Sequence, residues 1–225
     1  MTRAWTKLLC CGLLLLGLAA AAPGAEPETL LSVSFAKDAW NPGDWVIAKN
    51  PTVPHLGTWV QRDTCIENET PTDPAQKSSL DETLTTMVYA KPFAGDFAAA
   101  ATFEIGSGAA PGIVLAQDWA PDAEGRPQYG EFYEVILYEK GINLWHHFAR
   151  DGKRTYELSA YSTFALKADT PYKLKVVRKA KTLDISVGEH QIGVLIAPLA
   201  PELFVGLEGC EGVCRVSDFS VTHRA

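Results

Sequence analysis

The chain has 225 residues, 47% of them hydrophobic and 21% charged, a composition that excludes disordered and collagen-like classes. Lys and Arg total 20 against 27 Asp and Glu, a net charge of −7. The basic footprint that duplex binding needs is missing, so no nucleic-acid partner is expected.

Residues 1–7 carry Arg3 and Lys7 and no acid, 8–18 are an apolar run, and 19–25 are mostly small residues with Pro23 and Gly24. This order predicts a signal peptide over 1–25, cleaved between Ala21 and Glu26, and a secreted or periplasmic protein. The apolar run is too short for a spanning helix, and no later stretch reaches the ~18 apolar residues that one needs. No membrane span is expected in the mature chain. Removal of 1–25 leaves 18 basic and 27 acidic residues, a net charge of −9 that favours solubility.

Residues 27–225 read as a single domain of short strands. Strands are predicted at 30–35, within 57–66, and at 86–90, 96–105, 112–117, 131–139, 142–149 and 155–160. Others follow at 171–179, 182–187, 191–196, 204–210 and 213–222, with a hairpin about Lys179-Ala-Lys181. Along 96–105, Phe97, Ala99, Ala101, Phe103 and Ile105 share one face, the period of two that marks a strand. Only 76–86 has helix-like composition. The pattern predicts an all-β sandwich or jelly roll of antiparallel sheets. Two loops are long: 37–56, with Trp40, Trp45, His55 and three prolines, and 118–130, with Trp119 and Arg126. Long ordered loops are often functional; the alternative is that both cap the open ends of the sandwich.

Strand 131–139 carries the most informative side chains. Tyr133, Val135 and Leu137 are predicted to face the core, with Phe132, Glu134, Ile136 and Tyr138 on the other face. A carboxylate among large apolar groups suits a general acid; the alternative is a solvated Glu paired with a base. On the next strand Ile142, Leu144 and Phe148 are assigned to the core and Asn143, Trp145 and His147 to the outside. If the two strands adjoin, Glu134, Tyr138, Asn143, Trp145 and His147 meet on one face, with Asp118 or Trp119 closing the loop side. A flat aromatic beside amide and carboxylate groups suits a sugar, which offers C–H faces for stacking and hydroxyls for planar polar partners. Ordinary packing is the alternative for Trp145.

Other chemistries find less support. His146 and His147 point to opposite faces of a strand, so they do not share a metal. Glu131 and Glu134 are on opposite faces, as are Glu134 and Glu139, while Glu131 and Glu139 are too far apart. A two-carboxylate glycosidase built on this strand alone is therefore disfavoured. Gly-x-Ser-x-Gly, Walker and Rossmann patterns are absent. The negative charge permits a structural Ca²⁺ held by loop carboxylates, but no run of ligands marks one and no cofactor is otherwise expected.

Three cysteines follow residue 25: Cys65, Cys210 and Cys214. Export predicts one disulfide and one leftover thiol. Cys210-Glu-Gly-Val-Cys214 reads as a tight hairpin, which favours the Cys210–Cys214 pair on proximity. Closing that loop gains about 2 kcal/mol on the chain-entropy model, against about 4–5 for a long loop from Cys65, so pairing of Cys65 with either remains open.

Several segments resemble concanavalin A-like lectin/glucanase domains. They are Asp96-Phe97 and its strand, Gly112-Ile-Val-Leu115, Tyr133-Glu-Val135, Phe204-Val-Gly-Leu207 and Val216-Ser-Asp-Phe-Ser-Val221, with the hairpin of 171–187. Within that superfamily the chain is most similar to secreted 3-keto-disaccharide hydrolase-like domains. Their pattern is Asn-Ser-Gly, three apolar residues and Arg, then Tyr-Glu-Val-Gln. Here Ala110-Pro111-Gly112 replaces the triplet, Ala116 the Arg and Ile136 the Gln, so only Glu134 carries over as a polar site residue. The resemblance implies a jelly roll, export and carbohydrate-related work. The expectation is a saccharide-binding domain whose concave sheet holds the ligand. The alternatives are a glycoside-cleaving enzyme with Glu134 as acid/base and a structural or adhesion domain without a small ligand.

Overall fold

A computed structural model describes residues 27–54, 56–69 and 83–224. The expected signal peptide, His55 and all but the end of the helix-like segment lie outside these residues. The strands of the first half are β1 (Thr29–Ser34), β2 (Trp45–Ile47), β3 (Thr58–Gln61), β4 (Ile66–Glu69), β5 (Leu84–Tyr89), β6 (Phe93–Ala94), β7 (Phe97–Ile105), β8 (Gly112–Ala116) and β9 (Trp119–Pro121). Those of the second half are β10 (Pro127–Tyr129), β11 (Phe132–Tyr138), β12 (Gly141–Arg150), β13 (Lys153–Thr163), β14 (Pro171–Lys179), β15 (Thr182–Val187), β16 (His190–Leu195), β17 (Glu202–Cys210) and β18 (Cys214–His223). One 3-10 turn, Pro42–Asp44, precedes β2.

Two antiparallel sheets face each other, the architecture of an all-β jelly-roll sandwich. The back sheet runs β16-β15-β14-β7-β18-β4-β3, with β1 paired to β18. The front sheet runs β13-β12-β11-β8-β17-β5-β2, with β6 paired to β17. Period-two alternation builds the core between them. The odd-numbered residues of β7 meet Ile113 and Leu115 of β8, Tyr133, Val135 and Leu137 of β11, and Val205 and Leu207 of β17. Each Val, Leu, Ile or Phe side chain so removed from water contributes roughly 1.5–3 kcal/mol. No helix among the described residues is long and apolar enough to cross a membrane.

Within the β-rich stretch 57–66, β3 and the start of β4 make a hairpin whose turn crosses Asp63 and Thr64. Three local expectations are corrected. Residues 84–86 belong to β5, because Leu84, Thr85 and Thr86 pair with β17. Phe148 shares a strand face with Leu144 but reaches the sheet edge, where it stacks on His146 and lies under Arg150. The Cys210–Cys214 hairpin is replaced by an arch from the front sheet to the back sheet. Cys210 ends β17 and lines the outer face, whereas Cys214 starts β18 with its thiol in the core. The sulfurs point to different sides of the front sheet, and no disulfide joins Cys65, Cys210 and Cys214.

Candidate functional site

Ala48 to Thr52 of the first long loop and the second loop fold over the outer face of the front sheet, whereas Trp40 and Trp45 of the first loop pack into the core between the sheets. Within 118–130, β9 and β10 form a small hairpin, and Lys49 of the other loop bridges to Gln128 of β10. The amide of Lys49 donates to Pro127 O at 2.8 Å, and that of Tyr129 to Lys49 O at 3.0 Å. Beneath them a second apolar cluster forms from Ala48, Val88, Val114, Ala116, Tyr129 and Phe132. The loops thus cover one half of the face. The uncovered half holds a hollow of about 320 Å³.

Glu134 is at the boundary between the covered and open halves. It is only 5% exposed, yet it lines the hollow. Asn50 Nδ2 donates to its Oε1 at 2.7 Å, and His147 Nε2 lies 2.8 Å from its Oε2. An ionised Glu134 makes Nε2 the protonated nitrogen of His147. Asn50 is itself held, because its Oδ1 accepts from Thr52 N at 3.0 Å and Thr52 Oγ1 at 2.9 Å. The imidazole of His147 is stacked on Phe132, with centroids 4.3 Å apart and planes 12° apart, and Tyr156 flanks it at 5.7 Å. A carboxylate has about four acceptor sites, so two protein donors leave capacity for hydroxyls arriving through the hollow.

The rest of the wall is amphipathic. Trp145 meets Tyr156 edge to face at 5.9 Å. Ile136, Tyr138 and Asn143 continue the floor, and Glu208 of β17 enters from the far side. Between Glu208 and Ile136 the register places Gly112, which has no side chain to fill the centre. A Cβ there would meet Val135 O at 2.5 Å and Ile136 Cδ1 at 2.6 Å, so this floor position has no room for one. Burial raises the Tyr129 phenol above its ordinary value; the charges of Glu208 and Glu134 raise it further, against Thr86, which lowers it. Both carboxylates therefore act on the same buried group.

The structure thus gathers Glu134, Tyr138, Asn143, Trp145 and His147 around one hollow. β11 and β12 pair directly, with Glu134 opposite Trp145. Asp118 and Trp119 lie elsewhere. Asp118 is exposed beside Gly130 at the base of the β9–β10 hairpin, and Trp119 packs against Phe204 at 6.3 Å. Glu131 faces the other way and bonds His146 at 2.9 Å. Asn68, the first residue of an Asn-Glu-Thr sequon, is taken up by the fold: it donates to Gly212 O at 3.0 Å and accepts from Cys214 N at 2.7 Å. Among the described residues no cluster of three His, Cys, Asp or Glu side chains is placed to hold a metal.

Of the lining residues that escaped sequence reasoning, Asn50, Tyr156 and Glu208 matter most to the site. Asn50 lies in a long loop with no periodicity to orient it. Tyr156 needed the pairing of β13 with β12. Glu208 left a readable signal, a charge inside the otherwise apolar run 204–209.

No protein-family model and no curated protein matches the chain. Solved structures do share its fold. A carbohydrate-binding module, CBM66 from Bacillus subtilis, superposes with a TM-score of 0.55 at 13% identity, covering 80% of this chain and 96% of that one. The κ-carrageenase of Pseudoalteromonas carrageenovora, in complex with an oligotetrasaccharide of κ-carrageenan, gives 0.59 at 11% identity, covering 93% and 100%. β-Agarase A of Zobellia galactanivorans gives 0.62 at 9% identity, covering 92% and 97%. At such identities the likeness is one of fold.

Proposed function

We propose that this protein is an exported saccharide-binding domain whose ligand occupies the hollow on the front sheet. The observation that carries the reading is Glu134, a buried carboxylate clamped by Asn50 and His147 and still lining an aromatic-walled hollow. Holding its position before a ligand arrives lowers the ordering cost of binding. Trp145 supplies the stacking face, with Tyr156 against its edge. Asn143 and His147 add polar groups, and residues 1–25 direct export. Solved neighbours that include a carbohydrate-binding module, a κ-carrageenase and a β-agarase support the reading by analogy.

A glycan array probed with the mature protein tests it. Retention on a defined saccharide set is expected, with a loss of tenfold or more in Glu134→Gln and in Trp145→Ala. Failure to retain any saccharide, or full retention by both variants, contradicts it.

Glu208 favours a second reading, in which the hollow cleaves a glycosidic bond. Two carboxylates from different strands, β11 and β17, flank the same space, the arrangement that acid/base or nucleophilic glycoside hydrolysis needs. Turnover of a retained glycan, abolished by Glu134→Gln and by Glu208→Gln, distinguishes an enzyme from a binding module.

A further inference from the structure

β13 is the outermost strand of the front sheet, and it spans 11 residues. Its register against β12 pairs Tyr156 with His147 and Leu158 with Trp145, then slips, pairing Ala160 with Leu144 and Tyr161 with Asn143. Ser159 is the extra residue of a β-bulge. Directly opposed residues of a pair share a face. Tyr156 and Leu158 therefore stand on the outer face beside His147 and Trp145. Without the bulge, Tyr161 would turn to the other face; with it, Tyr161 joins them beside Asn143.

These three side chains are conspicuously bare. Tyr156, Leu158 and Tyr161 are 41%, 42% and 66% exposed, and they make up half of the six large hydrophobic residues so exposed among the described residues. They follow one another on the outer face of β13, opposite three residues that line the hollow, and Tyr156 lines it too. A contiguous exposed apolar strip marks a contact surface. The strip from Tyr156 to Tyr161 spans the register from His147 to Asn143, about 13 Å at about 3.3 Å per residue, longer than one sugar ring.

The occupant lies on the face of β13 and not along its hydrogen-bonding edge. Lys153 and Arg154 open the strand, and the bulge breaks its middle, two devices that discourage a foreign strand from adding to an edge. The apolar side chains project from the sheet face, in line with the hollow. We infer that Leu158 and Tyr161 form a second saccharide subsite, so that the site takes an oligosaccharide chain, one unit in the hollow and the next along β13. This rests on the saccharide-binding reading above and narrows its ligand class.

The test measures affinity for cello-, xylo-, manno- and agaro-oligosaccharides of one to six units, for wild type and for Leu158→Ser, Tyr161→Ala and Trp145→Ala. Both rim residues are exposed, so their variants fold. For the series that binds, affinity rises at least tenfold from one unit to four. Tyr161→Ala removes that gain and leaves one-unit affinity unchanged, whereas Trp145→Ala weakens every length. Equal affinity for one and four units overturns the subsite and leaves the binding reading standing. So does equal weakening of all lengths by Tyr161→Ala. Self-association in sedimentation that Tyr161→Ala abolishes overturns it too, because the strip is then an interface between copies. Wild type that binds no member of any length removes the binding reading and the subsite together.

Discussion

Both oxygens of Glu134 are tied to protein groups, one to Asn50, 84 residues away in sequence, and the other to His147 on the neighbouring strand. Removing Asn50 leaves Oε1 buried with one donor fewer. Asn50→Ala is therefore expected to cost about 1–3 kcal/mol of stability, read from urea denaturation, and to weaken saccharide binding. Asn50→Asp sets a second carboxylate against the first and is expected to lose more. An unchanged denaturation midpoint in Asn50→Ala shows that the contact carries no stability. The cysteines give a second check at this scale. Burial pushes the Cys214 thiol up to about 12, and no disulfide constrains the arch beside it. Native protein treated with iodoacetamide at pH 8 is expected to leave Cys214 unmodified by mass spectrometry, and a reductant is expected not to move Tm. A Tm lowered by reductant requires a disulfide and contradicts the arch. The facing of Glu134 and Trp145 was legible because a strand alternates; Asn50 was not, because a loop has no period to orient it, and Glu208 showed only as a charge in an apolar run, its place by the hollow depending on the pairing of β17 with β8.

The two long loops are fastened to each other. Lys49 Nζ lies 3.3 Å from Asp122 Oδ2, Arg126 Nη2 lies 2.8 Å from the same oxygen, and Arg126 Nη1 donates to Pro54 O at 3.1 Å. Burial pushes the Asp122 carboxyl upward, but hydrogen bonds from the Arg126 side chain and backbone, then from Lys49 and the Glu124 amide, outweigh it and hold the group well below the usual carboxylate range. A depressed folded value stabilises above the unfolded pKa of about 3.9 and is lost as pH falls from there through the folded value. Acid titration is expected to loosen the β9–β10 hairpin below about pH 4, by amide exchange at Arg126 and Tyr129, and Asp122→Asn is expected to flatten that response. Matching pH profiles for the two proteins contradict this. These segments read as loops in the sequence because β2, β9 and β10 have three residues each, too few for alternation to show. The hairpin misread at Cys210–Cys214 has a related cause: a tight turn within a sheet and an arch between sheets offer the same short Gly-containing spacer.

At the scale of the molecule, the jelly roll was readable from strand periodicity, most plainly in β7, where five alternate residues enter the core. The division of strands between sheets was not, since it is set by contacts between distant segments. That division creates the site. The loops bury Val88, Val114, Ala116 and Phe132 on one half of the front face, and the other half remains open beside Glu134. The most direct measurement is a crystal structure of the protein soaked with the saccharide that the array retains. The account predicts a sugar ring in the hollow, a hydroxyl within hydrogen-bond distance of the Glu134 carboxylate, and the indole of Trp145 against the ring. A sugar held only on the back sheet, or an empty hollow in a crystal that binds the saccharide elsewhere, contradicts it.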